Sequence, residues 1–173
     1  MIKWFITLSI LCISLSHSQD RRGYIVSVGD TISEIYIDTE NIIEKYKGKV
    51  IMLQFTASWC GVCLKEMPFI ENEIWQKHQK DDFILIALAR DTETRPQRKK
   101  EIEFLKEKTG VTYPIISDKN SSIFELFATK KAGVTRNIII DQNGVIQFLT
   151  RLFDRDEFDE MKLKIDELLK KKT

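Results

Sequence analysis

Nothing in this sequence restricts the fold as tightly as the passage from Val50 to Cys63. Val50-Ile51-Met52-Leu53-Gln54-Phe55 is apolar at every position except Gln54. Such a run reads as a strand buried on both faces. After four intervening residues comes Cys60-Gly61-Val62-Cys63, and from there Val62, Met67, Ile70 and Ile74 recur at roughly helical spacing. The chain therefore passes from strand to helix with Cys60 at the junction. A cysteine at a helix start meets unpaired N–H groups and the positive end of the helix dipole, which favour its thiolate. Thiolate, not thiol, is the species that attacks disulfides. Cys63 lies one turn further in, close enough to close an intramolecular disulfide and release a trapped partner.

The flanking sequence alternates strands and helices, which argues for an α/β fold without reference to the cysteines. Arg21 to Ile37 reads as an extended lead-in with a turn at Gly29-Asp30, and Thr39 to Tyr46 as a short helix capped by Thr39. Pro68 falls inside the helix after the cysteines, where its missing N–H frees the Leu64 carbonyl and should kink the helix. Phe83 to Ala89 is a second buried strand. The charged segment from Arg95 to Lys108 reads as a surface helix, its basic residues balanced by Glu101, Glu103 and Glu107. Asn120 to Phe127 reads as a short helix capped by Asn120. Asn137 to Ile140 and Val145 to Arg151 read as a hairpin about Asn143-Gly144. Asp156 to Lys170 is an amphipathic helix with Phe158, Met161, Ile165 and Leu168 on one face.

Met1-Ile2-Lys3, the apolar run Trp4 to Leu15, and Ser16-His17-Ser18 have the form of a secretory signal peptide cleaved after Ser18. The run is short for a membrane span, which takes about 20 residues. Cys12 follows bulky Leu11, where a lipid-attachment signal wants a small residue. The expected division is residues 1–18 as signal and 19–173 as one domain, with membrane association only if the signal segment is retained. The mature chain then holds Cys60, Cys63 and His78. Two cysteines in one Cys-x-x-Cys do not make a disulfide scaffold, and structural zinc wants four ligands where Cys and His offer three. A bridge closing so small a loop removes little chain entropy, so the pair is there for chemistry. The formal charge of +1 in 173 residues gives no reason to expect a nucleic-acid partner.

Trp59-Cys60-x-x-Cys63, continued by Glu66 and Pro68 in a C-x-x-C-x-x-E-x-P pattern, resembles the thioredoxin superfamily. Within it the pattern is similar to the extracytoplasmic thiol-disulfide oxidoreductases of cytochrome c maturation, the TlpA/ResA-like branch. The resemblance covers Val28 to the C-terminus. It implies a thioredoxin-like fold: a central mixed sheet flanked by helices, with an N-terminal extension and an insertion between the second core strand and the C-terminal hairpin. It also implies protein thiol or disulfide substrates, a membrane thiol relay as reductant, a periplasmic or other extracytoplasmic location, and no cofactor or metal beyond the Cys60–Cys63 disulfide.

On this reading Cys60 is the nucleophile and Cys63 the resolving thiol. Gly61 and Val62 carry no ionisable group, where strongly oxidising relatives carry a His, so a mild or reducing couple is expected. The position of the buried Asp of many thioredoxins is taken by Gln54, which cannot accept a proton. Glu66 shares a helix face with Cys63 and is the alternative carboxylate. Trp59 is expected beside the pair, shaping the partner groove, and Lys65 and His78 are expected at the surface without a role. The family's cis-proline position falls on Thr135, since Pro114 belongs to an earlier segment. A cis bond before a non-proline residue costs about 3 kcal/mol, so Thr135 is expected trans, with its hydroxyl free to approach the cysteines and Val134 pairing with substrate backbone. Two other activities are compatible with the pattern. One is a thiol peroxidase, although Ala57 stands where such enzymes usually have Thr or Ser. The other is a module that grips thiol proteins without turnover.

Overall fold

The apolar run leading to the cysteines forms the middle strand of a five-stranded sheet, and the other elements are arranged about it. The structure, a computed structural model, describes residues 23–171. The expected signal segment, with Cys12 and His17, lies outside the described residues.

In chain order, β1 (Tyr36–Ile37) and β2 (Glu40–Asn41) form a small antiparallel ribbon that leads to α1 (Ile42–Lys45). Next comes β3 (Val50–Thr56), then α2 (Gly61–Ile70), which runs through a π turn (Glu71–Trp75) into α3 (Gln76–His78). After β4 (Phe83–Arg90), α4 (Lys99–Thr109) and β5 (Ile115–Asp118) come a 3-10 turn (Lys119–Ser121) and α5 (Phe124–Phe127). The hairpin of β6 (Arg136–Ile140) and β7 (Ile146–Arg151) precedes α6 (Arg155–Lys170). The strand order is β5-β4-β3-β6-β7. β4 runs parallel to β3 and β5 parallel to β4, whereas β6 is antiparallel to β3 and β7 to β6.

All seven residues of β3 are buried, and they alternate between two cores. Ile51, Leu53 and Phe55 pack with Phe124, Phe127, Ile138 and Ile140. Val50 and Met52 pack with Met67, Ile70, Leu105 and the Phe158, Met161 and Ile165 stripe of α6. The two-residue period sends successive side chains to opposite faces, and both faces are covered, so the run needs no polar side. The lead-in segment is stitched to this body: Ile25 N–H donates to the Phe127 carbonyl at 2.8 Å and Ile32 N–H to the Gly144 carbonyl at 2.8 Å. At Gly144, φ is +82° and a β-carbon would stand 2.7 Å from the Ile32 carbonyl oxygen, so the hairpin turn requires glycine there.

Four local expectations are corrected. Thr39 caps no helix: residues 36–41 form the ribbon, and Asn41 caps α1 by accepting from Ile43 N–H at 3.1 Å while also accepting from Ile35 N–H. The charged helix starts at Lys99, not Arg95, because Pro96 holds the residue before it out of helical backbone and Glu101 closes the start on the Arg98 N–H at 2.9 Å. Asn120 has φ 56° and caps nothing. Buried Asp118 instead takes the Ile123 and Phe124 N–H groups at 2.8 and 2.9 Å. His78 is buried rather than at the surface, its Nδ1 2.8 Å from Asp81 and its Nε2 3.0 Å from Asp166, which ties α3 to α6. After Pro68 the irregularity takes the form of the π turn, a common way for a helix to absorb an interrupted bond ladder.

Candidate active site

β3 ends at Thr56, and a short loop carries the chain to α2. Cys60 N–H donates to the Ala57 carbonyl at 3.0 Å, which closes the turn. Cys60 has extended backbone and is the cap of α2: its sulfur accepts from the Cys63 N–H at 3.3 Å. A helix cap accepts from amides that have no partner inside the helix, so a charge on this sulfur lies where those amides and the dipole favour it. Cys60 and Cys63 are joined as a disulfide with Cα atoms 5.3 Å apart. Cys60 keeps 8% of its surface exposed and Cys63 none.

Thr135 stands opposite the pair, immediately before β6. Its Oγ1 is 3.2 Å from the Cys60 sulfur and 3.2 Å from the Cys63 sulfur. Its carbonyl accepts from Leu152 N–H at 3.1 Å, and no peptide among the described residues is cis. Thr135 and Val134 are both buried.

Glu66 lies one turn beyond Cys63 and is 1% exposed. Asn137 Nδ2 donates to its Oε1 at 2.7 Å and to Thr150 Oγ1 at 3.0 Å. Its other oxygen, Oε2, has no hydrogen-bond partner among the described residues, nor do Gln54 Nε2 and Asn137 Oδ1. Burial pushes the Glu66 carboxyl up from 4.5 to about 7; the hydrogen bond from Asn137 pulls it down, and the Glu157 charge adds to the rise. Gln54 pairs in register with Asn137 across β3 and β6, and its Oε1 accepts from the Tyr113 hydroxyl at 2.9 Å. Burial, with Glu66 nearby, raises the Tyr113 hydroxyl well above its ordinary value. A buried polar layer therefore lies behind the disulfide, with one carboxyl poised to change charge near neutral pH.

Trp59 is 43% exposed beside Cys60, and the Arg95 guanidinium stands 4.5 Å from its ring centre. Lys65 is exposed. Three contributors were not expected from the sequence. Asn137 and Tyr113 complete the polar layer; the signal available was a lone polar residue beginning the Ile138-Ile139-Ile140 run, at the register position of Gln54. Gln97 is the third: buried, it accepts the Ser58 N–H at 2.8 Å through Oε1, and its own N–H donates to Asp91 Oδ1 at 3.0 Å. It holds the loop that presents Cys60. Nothing local in the sequence marks a contact across 39 residues.

A central mixed sheet, a strand-to-helix junction and a disulfide at the helix start define a thioredoxin-fold thiol-disulfide oxidoreductase. The chain belongs to the Redoxin family, whose model matches residues 39–165. It is 27% identical over 126 residues to the thiol-disulfide oxidoreductase ResA of Geobacillus thermodenitrificans, a match covering 70% of this chain and 68% of that protein. ResA of Geobacillus kaustophilus is 25% identical over 139 residues, covering 78% and 75%. Among solved structures, a candidate protein disulfide isomerase from Bacteroides thetaiotaomicron is 44% identical with a TM-score of 0.77, covering 86% of this chain and 94% of its own. A candidate thiol:disulfide interchange protein DsbE from Chlorobium tepidum shares the fold at a TM-score of 0.68 and 20% identity, covering 83% and 99%.

Proposed function

We propose that this enzyme reduces disulfides in protein substrates outside the cytoplasm. The observation that carries the reading is the asymmetry of the two sulfurs: Cys60 has a solvent-facing edge at the start of α2, whereas Cys63 is wholly covered. An incoming disulfide can reach Cys60 alone. The Cys60 thiolate attacks it, forming a mixed disulfide and expelling one substrate thiolate. Cys63 then loses its proton and attacks the Cys60 sulfur, which closes the disulfide and expels the second thiolate. Two electrons pass from the dithiol to the substrate, whose two sulfurs end as thiols. Glu66, the buried carboxyl with a value of about 7, is suited to tune Cys63 in the second step. Half-exposed Trp59 and the Val134 backbone flank the approach to Cys60.

The reducing direction is supported by Gly61 and Val62, which put no charged donor between the cysteines. Export is supported by the basic, apolar and small-residue pattern of residues 1–18. The resemblance to the cytochrome c maturation branch makes apocytochrome c one candidate substrate and a membrane thiol relay the reductant. Insulin reduction with dithiothreitol as the electron source tests the reading. The expected result is catalysed precipitation of the insulin B chain, lost in Cys60→Ser. Capture of insulin without turnover would instead make the protein a binder, and oxidation of Cys60 by hydrogen peroxide in preference to disulfides would make it a peroxidase.

A further inference from the structure

Thr135 brings to this site a hydroxyl that the proline of related enzymes lacks. That hydroxyl is buried, and a buried hydroxyl needs a hydrogen-bond partner. Its oxygen stands 3.2 Å from each cysteine sulfur. A neutral disulfide sulfur is a weak acceptor, whereas a thiolate is charged and accepts strongly. The contact therefore strengthens whenever either sulfur becomes charged, and the hydroxyl proton can rotate between the two.

We infer that Thr135 is a catalytic hydrogen-bond donor, its hydroxyl stabilising the Cys60 thiolate before attack and the Cys63 thiolate during resolution. The inference rests on the proposed order, in which Cys60 attacks and Cys63 resolves. No atom of Thr135 is transferred. In the first step Cys60 carries the charge and receives two donors, the Thr135 hydroxyl and the Cys63 N–H at 3.3 Å. Once Cys60 is bonded to the substrate sulfur, its charge is gone and the hydroxyl turns to Cys63. Among the described residues Thr135 is the hydrogen-bonding side chain of the Cys63 sulfur. The strand alternation of β6 supports this placement: Thr135 and Asn137 share a face, one meeting the cysteines and the other meeting Glu66 one turn along α2. The strand thus supplies one donor to the sulfurs and one to the carboxyl.

The test compares Thr135→Val, which keeps the shape and removes the donor, with Thr135→Ser, which keeps the donor and removes a methyl group. Each is made in the Cys63→Ser background, and Cys60 alkylation by iodoacetamide is followed against pH. In Thr135→Val the midpoint should move upward by about one pH unit, the usual scale for losing a hydrogen bond to a charged group. Thr135→Ser should stay within about 0.3 pH unit of the parent. If the valine variant does not fold, Thr135→Ala carries the same expectation. A parent with a depressed midpoint that valine leaves in place, while serine moves it, overturns the role of Thr135 and makes it a packing residue. A parent whose Cys60 titrates near the ordinary thiol value of about 8.5 overturns this inference and the nucleophile assignment together.

Discussion

Replacing Glu66 by glutamine should stabilise the oxidised protein at neutral pH and leave it unchanged in acid. Burial raises the Glu66 carboxyl to about 7 in the folded protein from 4.5. The folded chain therefore holds this proton more tightly than the unfolded chain does. Between about 4.5 and about 7 it binds more protons, so this group's contribution to stability falls as pH rises. Below that window both states are protonated and the cost vanishes; above it both are ionised and the cost is constant. At about 1.4 kcal/mol per pH unit the span amounts to roughly 3 kcal/mol. The glutamine amide would keep an oxygen for the Asn137 side chain and would never ionise. Urea unfolding of wild type and Glu66→Gln at intervals from pH 4 to 8.5, with the disulfide intact, measures the difference. With a slope of about 2 kcal/mol per M, the variant's midpoint should exceed that of wild type by about 1.5 M at pH 8 and match it at pH 4. Parallel curves would show that Glu66 ionises without penalty, and the buried-carboxyl argument would fall.

Cys63→Ser should accumulate a mixed disulfide with a disulfide-bonded peptide, seen by mass spectrometry as an adduct on Cys60, while Cys60→Ser forms none; an adduct in the second variant would reverse the assigned order. Gln97→Ala leaves the Ser58 N–H without its 2.8 Å acceptor, which should cost about 1–3 kcal/mol in stability and slow turnover through a loosened Cys60 loop. Full activity in that variant would show that the loop keeps its form unaided. N-terminal sequencing of protein from its native host should begin at Gln19; a start at Met1 or a lipidated Cys12 would refute the cleavage.

The strand, the junction and the following helix were legible because the signals are local. A run buried on both faces shows no polar period, and a cysteine spacing of three shows one helical turn. The amphipathic stripe of α6 was legible for the same reason. What the sequence hid depends on contacts between distant segments. His78 is covered because α6 brings Asp166 to its ring, and no property of residues near His78 announces that. The Gln97 contact to Ser58 reaches across 39 residues in the same way. Asn137 was half legible: its polarity was visible, but its role required knowing that β6 lies beside β3 with Asn137 opposite Gln54. The helix starts failed where two polar residues competed. Thr39 and Asn120 have the right chemistry for capping, but Asn41 and Asp118 stand where amides without a helical partner are within reach.

The reduction potential of the Cys60–Cys63 couple tests the central claim most directly. It is measured by equilibrating the protein with graded mixtures of oxidised and reduced dithiothreitol and counting free thiols by mass after alkylation. An enzyme that reduces protein disulfides, with Gly61 and Val62 between its cysteines, should have a midpoint nearer thioredoxin's value of about −270 mV than the value of about −120 mV found in strong oxidants. A midpoint at the oxidising end would mean that electrons flow from substrate to enzyme, contradicting the direction proposed here.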